Sequence, residues 1–574
     1  MKILIIILMA IGLLFTVQSA QAADCTDPVD LTPADIPAQV QAQPENTCLR
    51  LPDEQIPLTA AIHPKNGQTI FGQANTVLTP ATARVDGFVL ENVSGVTISS
   101  VKLVSTLTYG SDLGYGTGFK LMNTDGISII GNTVDGMFAG IDSRLGAKDL
   151  TITGNTLTIH AGAFAGDSDW NGGNPSFSPT LTSAYVFDTY PNTPVESLPG
   201  ALPIWQQSQA VFCPYANGVP QDCPERVGAV VVPRMIDPSQ NPGLLWFRPS
   251  PNPSNGSPFF GVKGALINID SEEVVVTPGG TVNTNPRAEN IIITANILRG
   301  LDTTCDPTQG IEPQYYPLPP SDKQHAKRGM LITGVRDLII SANTVQCLNF
   351  SGIVVADAKD VTMGYNLLQY LERAIYLFHT TETVNINNNQ ILDNTGGAGN
   401  SAAALEIARY AKEVTIENNT FSRVIGFGIR ATSTANQWER LISSNILNNT
   451  ITMAIEHRTA NIPITLNNAS GTLVSGNTLT NGLWGMELRQ DCNQVGYTFK
   501  NWYHANHFTQ FEAAAFHEVK CASIPFFKQN GYLSNTKANV SILLSRNSNE
   551  YLLQRIINPT TYPTPFAWFA TQYL

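Results

Sequence analysis

Along most of the chain, apolar residues alternate with polar ones in short runs, and each run is closed by an asparagine. In "VTIENNTFSRVIGFGIR" (414–430) the spelling is apolar, any, apolar, two of anything, Asn, any, apolar. It returns as "ISIIGNTV" (127), "LTITGNTL" (150), "IIITANIL" (291), "LIISANTV" (338), "VTMGYNLL" (361) and "VNINNNQI" (384), with echoes in "SNILNNTI" (444) and "TLVSGNTL" (472). The recurring residues are Asn132, Asn155, Asn296, Asn343, Asn366, Asn389, Asn419, Asn449 and Asn477, with uninterrupted neighbours 23 to 30 residues apart. A period in this range predicts a solenoid. The alternation is that of strands, and no copy has room for a helix of ordinary length. Each repeat is thus expected to be one rung of three short strands. The asparagine is placed at a bend, in the left-handed conformation its side chain tolerates. Rungs about 4.8 Å apart would stack these amides into a hydrogen-bonded ladder.

Ahead of each asparagine-bearing half lies another strand, here termed the first: "GIDSRL" (140), "GMLITG" (329), "GIVVAD" (352), "AIYLFH" (374), "ALEIAR" (404), "GIRATS" (428), "AIEHRT" (454) and "GMELRQ" (485). Long insertions are expected in one connection only, from third strand back to first, at 158–263, 299–328 and 392–403. The alternating triplets with their asparagine bend, together with "IHPKNGQTIFGQANTVL" (62–78), resemble the right-handed parallel β-helix proteins of the pectin-lyase-like superfamily over residues 56–490. That resemblance implies an all-β, single-stranded, right-handed parallel β-helix, of about eleven rungs by the period. It further implies a groove whose floor is the first strand and whose walls are the long connections. The superfamily holds lyases, hydrolases, esterases, epimerases and non-catalytic surface proteins. This chain lacks the "DPH" of alginate epimerases and the paired "NTD" and "GHG" of polygalacturonases, so the likeness carries fold rather than one chemistry.

A strand period of two turns Ile353, Ile375, Leu405, Ile429, Ile455 and Met486 inward and His457 with them. The expected outward column is Val354, Tyr376, Glu406, Arg430, Glu456 and Glu487, followed two residues on by Phe378, Ala408, Thr432, Arg458 and Arg489, with Asp357, His379 and Arg409 at its edge. Such charges are either a self-neutralising salt-bridge ladder on a wet surface or a sugar-binding floor. Glu456 and Glu487 would stand about 5 Å apart and Glu406 and Glu456 about 10 Å, against about 5–5.5 Å for retaining and about 6.5–9.5 Å for inverting glycosidases. A lyase would instead use Tyr376 or His379 as base beside Arg409 or Arg430. The candidate catalytic residues are therefore Glu406, Arg430, Glu456, Tyr376 and His379. The candidate substrate-binding residues are Arg409, Arg458, Glu487, Arg489 and, from the loop "DKQHAKRG", His325, Lys327 and Arg328, whose positive charge suits an anionic glycan. In the large insertion "DSDWNGGN" spaces Asp167, Asp169 and Asn171 like the first ligands of a calcium loop, without that motif's closing Glu. An Asx-rich turn is the simpler account of it.

Composition narrows the setting. Lys2, the apolar run Ile3 to Val17 and "SAQAA" read as a signal peptide over 1–22, with cleavage near Ala22 or Ala23. The chain is accordingly expected to be exported: secreted, periplasmic or at the cell surface. With 33 basic and 45 acidic residues the net charge is −12, which argues against a nucleic-acid partner. No later apolar run is long enough to span a bilayer. Eight cysteines pair locally as Cys25 with Cys48, Cys213 with Cys223, Cys305 with Cys347 and Cys492 with Cys521, favouring disulfides in an exported chain. Residues 24–61 and 491–574, the latter including the helical-looking "FEAAAFHEVK" (511–520), are expected to cap the solenoid of 62–490. The functional expectation is an exported protein that cleaves or modifies an acidic, uronate-containing polysaccharide in the groove. A non-catalytic, adhesin-like solenoid is the alternative.

Overall fold

The computed structural model describes residues 25–160, 265–301, 328–489 and 501–519, with gaps at 83–84, 108–115, 138, 271–273, 277–281, 285–287, 395–401, 409–410, 433–440 and 458; beyond these blocks it describes isolated strands and the surroundings of Cys305. The expected leader, the Asp167, Asp169 and Asn171 loop, Cys213 with Cys223 and Cys492 with Cys521 lie outside the described residues.

The chain winds into a right-handed parallel β-helix in which each strand pairs with its counterpart one rung on. The register is regular. Val361 lies over Val384 and then Val414, and Leu368 over Ile391 and then Phe421. Inward apolar side chains such as Ile353, Ile375, Leu405, Ile429 and Met486 are fully buried in one continuous core running along the axis. No rung could bury this face alone; stacking supplies the neighbour each requires.

The asparagine ladder forms. Asn366 Nδ2 donates to Asn389 Oδ1 at 2.9 Å and to the Ile340 carbonyl at 3.0 Å, and its own backbone N–H also reaches Asn389 Oδ1, at 3.0 Å. This set recurs down the stack to Asn477, which hands on to Asn506. The left-handed residue, however, is the one before each ladder asparagine. Ala295, Ala342, Tyr365, Asn388, Asn418 and Asn448 have φ between 53° and 59°. The chain turns its corner one residue early, and the asparagine is thereby free to point its amide into the stack.

The solenoid also runs past residue 490. Twelve successive first strands are described, from Phe88–Glu91 to His507–Val519. The last of these contains the helical-looking alanine run, where Phe508, Phe511 and Phe516 are buried in the common core. Stacking there overrides the helix propensity of the alanines. A hairpin of Val274–Val276 with Val282–Thr284 is inserted between a first strand, Ala265–Asp270, and a second, Ala288–Thr294. Insertions are therefore not confined to one corner.

At the start, Ile36–Ala42 is a short helix whose Ile36 and Val40 are buried in the core, with Asp35 accepting from the Ala38 N–H at its N-terminus. Cys25 and Cys48 are bonded, as are Cys305 and Cys347, each pair with Cα atoms 5.7 Å apart. Cys347 has φ 59° at the corner after a third strand, so the second bridge ties a wall connection to its neighbouring rung.

Candidate functional site: a guanidinium-rich groove floor

The outward column of the first strands, read from the pairing, is Lys120, Asp142, Asn268, Leu331, Val354, Tyr376, Glu406, Arg430, Thr465, Glu487 and His517. Tyr376, Glu406, Arg430 and Glu487 stand where the alternation puts them. Glu456 does not. Ile455–His457 is a turn of 3-10 helix, Ile455 is 61 % exposed, and the first strand of that rung is Ile462–Asn467. Placing 455 to 459 on the floor would drive His457 and Thr459 into an apolar stack. Ile462, Ile464 and Leu466 fill it instead. Thr465 consequently takes the place given to Glu456, and Asn467 that given to Arg458. Glu406 and Glu487 are three rungs apart, about 14 Å, too far for either glycosidase geometry.

At the centre is a buried charge cluster. Glu406, its side chain 8 % exposed, accepts from Arg373 Nε at 2.7 Å through Oε2 and from Arg430 Nη2 at 2.8 Å through Oε1. Arg373 also donates from Nη1 to Glu372 at 3.0 Å. Aromatic faces hold the guanidiniums in plane: Arg373 lies 4.6 Å from the Phe350 ring centroid and 5.4 Å from that of Tyr376, Arg430 lies 4.6 Å from Phe427, and Arg328 lies 5.0 Å from Phe350. Arg328 is buried at the start of the first strand Arg328–Thr333 rather than displayed on a wall loop. Burial pushes its pKa down to about 10, and the neighbouring Arg373 charge adds to the fall, while Tyr376 and Glu372 oppose it. Burial also works against the charge of Arg373, but Glu406 and Glu372 outweigh it and hold that guanidinium above its ordinary value.

Three guanidiniums, Arg328, Arg373 and Arg430, thus gather with Glu372 and Glu406 on this face. Both oxygens of Glu406 are engaged by cations, which suits a positioning role and not a proton carrier. Four buried polar atoms on this face, Ser351 Oγ, Arg430 Nε, Thr465 Oγ1 and Asn467 Oδ1, have no hydrogen-bond partner among the described residues.

Two further groups flank the cluster. Towards the C-terminal end, Glu487 accepts from Arg489 Nε at 2.7 Å and contacts His517 Nδ1 at 3.1 Å, and Trp484 stacks on the imidazole at 4.2 Å. Burial alone would raise the Glu487 pKa, but the His517 and Arg489 hydrogen bonds outweigh it and hold it below its ordinary 4.5. A carboxyl with a lowered folded pKa contributes stability that is complete above the unfolded value and is lost as pH falls through the folded one. The stability advantage of the native protein over Glu487→Gln should therefore be full at pH 6 to 7 and shrink below about pH 4.5. Urea midpoints of the two proteins across that range check the sign, and a pH-independent difference would contradict it.

Towards the N-terminal end, Asp86 accepts from the Thr117 N–H at 2.7 Å and lies 3.8 Å from Lys120 Nζ, and Asp142 accepts from Asn268 at 2.7 Å. Burial pushes the Asp86 carboxyl up, against the Thr117 N–H and Lys120, with Asp142 adding to the rise.

The described residues do not include Arg409, Arg458, His325 or Lys327, and His379 is described in backbone only. Sequence reasoning missed Arg373, Phe350, Phe427, Thr465, Trp484 and His517. For His517 the signal was present, since "NWYHANHF" (501–508) repeats the asparagine spelling one rung beyond the supposed end. Among the described residues no group of three or more His, Cys, Asp or Glu could hold a metal ion, and no helix is long and apolar enough to cross a membrane.

Residues 321–451 match the family model described as "Right handed beta helix region". No curated protein matches the chain in sequence. Among solved structures the chain is similar to PfbA, a surface adhesin of Streptococcus pneumoniae, at 9 % identity and TM-score 0.43 over 91 % of this chain and 93 % of that one. It is similar to the periplasmic alginate epimerase AlgG at 9 % identity and TM-score 0.34 over 86 % and 85 %, and to a hyperthermoactive exopolygalacturonase from Thermotoga maritima at 8 % and 0.36 over 91 % and 89 %. Likenesses this distant carry no inference about activity; the right-handed parallel β-helix rests on the chain's own strand pairing and on the matched region.

Proposed function

We propose that this protein is exported and takes an acidic, uronate-containing polysaccharide along the first-strand face, with Arg328, Arg373 and Arg430 as the carboxylate-facing charges. The observation that carries this reading is the gathering of three largely buried guanidiniums, each against an aromatic ring, on one face of an otherwise acidic chain. A cation in a low-dielectric place attracts an anion far more strongly than one in water. The extended floor, one rung every 4.8 Å or so, suits an extended polymer rather than a compact ligand. Glu406 orients Arg373 and Arg430. If the bound chain is cleaved by elimination, Tyr376 is the base candidate, because its ring lies in contact with Arg373, a cation that would neutralise the sugar carboxylate and acidify the adjacent C–H.

The second reading, recognition without turnover, is favoured by the closed pairing of Glu406 with two guanidiniums. Such a triad can hold a surface in shape and do no chemistry. A panel of purified uronate-containing and neutral polysaccharides separates the two. New unsaturated uronates identify elimination, and new reducing ends without unsaturation identify hydrolysis. Retention of uronate polymers with no new ends identifies binding alone. Equal behaviour towards acidic and neutral polymers would overturn the proposal.

A further inference from the structure

We infer that Arg430 and Thr465, on adjacent rungs, form a subsite for a single sugar carboxylate. The inference rests on the acidic-glycan reading above and deepens it by naming where the acid group is held.

Arg430 and Thr465 are direct register partners on the outward column. Thr465 is 2 % exposed, and its Oγ1 has no hydrogen-bond partner among the described residues. The same is true of Arg430 Nε, although Nη2 of that guanidinium is committed to Glu406 at 2.8 Å. Neither neighbouring carboxylate accepts from these donors: Glu406 is engaged by Arg373 Nε and Arg430 Nη2, and Glu487, the next residue of the column, by Arg489 and His517. Phe427, packed against the guanidinium, fixes its plane and so the direction of the Nε–H bond.

A buried donor without an acceptor destabilises a fold, and a buried cationic donor more so. Two on adjacent rungs of one column point to an acceptor that comes from outside the chain. It must carry negative charge, to answer the guanidinium, and offer two acceptor oxygens, to answer both donors. Because both atoms lie below the surface, it must also project from the body of the ligand. The carboxylate of a uronic acid, held off the pyranose ring by one bond, has all three properties. A hydroxyl on a neutral sugar has only the last.

The test uses the full chain, with D-galacturonate, D-glucuronate and their oligomers as probes and the corresponding neutral sugars as reference, by isothermal titration calorimetry. Thr465→Val keeps the β-branched shape and removes the hydroxyl, Thr465→Ser restores a hydroxyl, and Arg430→Lys keeps the charge without the Nε–H. Uronate affinity should fall about tenfold in Thr465→Val and in Arg430→Lys and be largely recovered in Thr465→Ser, with the neutral sugars unchanged. Without ligand, Thr465→Val should have a higher unfolding midpoint than the native protein, because it deletes an unpaired buried hydroxyl. A structural threonine would lower both stability and affinity. Uronate binding that is equally tight in Thr465→Val and Arg430→Lys would overturn the subsite and leave the acidic-glycan reading standing. No uronate binding by the native chain would overturn both.

Discussion

Replacing Glu406 by alanine should lower the stability of the protein by about 3–5 kcal/mol. Among the described residues the glutamate is the one acceptor shared by Arg373 and Arg430, and all three side chains are largely covered, at 8 %, 17 % and 15 % exposure. Truncation leaves two guanidiniums facing one another beside Phe350, Phe427 and the already strained charge of Arg328. Removing one partner of a buried ionic group costs more than the group itself contributes, since the remaining charges stay desolvated and lose their counterion. Removing all of it at once is expected to cost far less. The triple change Arg373→Met, Glu406→Leu, Arg430→Met should recover most of the stability while abolishing uronate binding. Urea titrations with unchanged slopes give the numbers. A loss below about 1 kcal/mol for Glu406→Ala would show that the cluster is screened by solvent like a surface pair, and with that the case for a low-dielectric anion site would fail.

That comparison also shows how far the floor could be read from the sequence. The column Tyr376, Glu406, Arg430 and Glu487 follows from a period of two, since a one-residue slip would send Ile375, Leu405, Ile429 and Met486 to the surface. Register is legible wherever the inward residues are apolar and the outward ones are not. It failed at "AIEHRT", where Ala454 and Ile455 imitate the start of a strand while the better inward set, Ile462, Ile464 and Leu466, waits behind a turn. It failed again at Arg373, which comes in just ahead of the strand as read from sequence, where the pairing through Ser351 shifts by one residue. Such shifts arise from corner geometry, and single residues carry little sign of it. The end of the solenoid was misplaced because alanine-rich "FEAAAF" has local helix propensity, and only the stack beneath it makes it a strand.

Asn389 and Asn388 should respond to mutation in opposite directions although they are neighbours at one corner. Asn389 is 1 % exposed and sits mid-ladder. Its Oδ1 takes both the backbone N–H and the Nδ2 of Asn366, at 3.0 and 2.9 Å, and its Nδ2 supplies the Met363 carbonyl at 3.0 Å and Asn419 Oδ1 at 2.9 Å. Asn389→Ala removes all four bonds and leaves their buried partners short, at about 1–3 kcal/mol for each group stranded without an alternative. The net loss should reach about 3 kcal/mol or more, among the largest single-residue effects outside the charge cluster. Asn388 contributes no rung of the ladder; it bends the chain, with φ 53°. Gly131, Gly154 and Gly476 make the equivalent corner in other rungs, so Asn388→Gly should be neutral to mildly stabilising, the relief of a left-handed side chain offsetting the entropy of glycine. Thermal or urea unfolding of the two single variants decides it. Equal losses at both positions would mean that the corner, not the amide stack, holds the rungs in register.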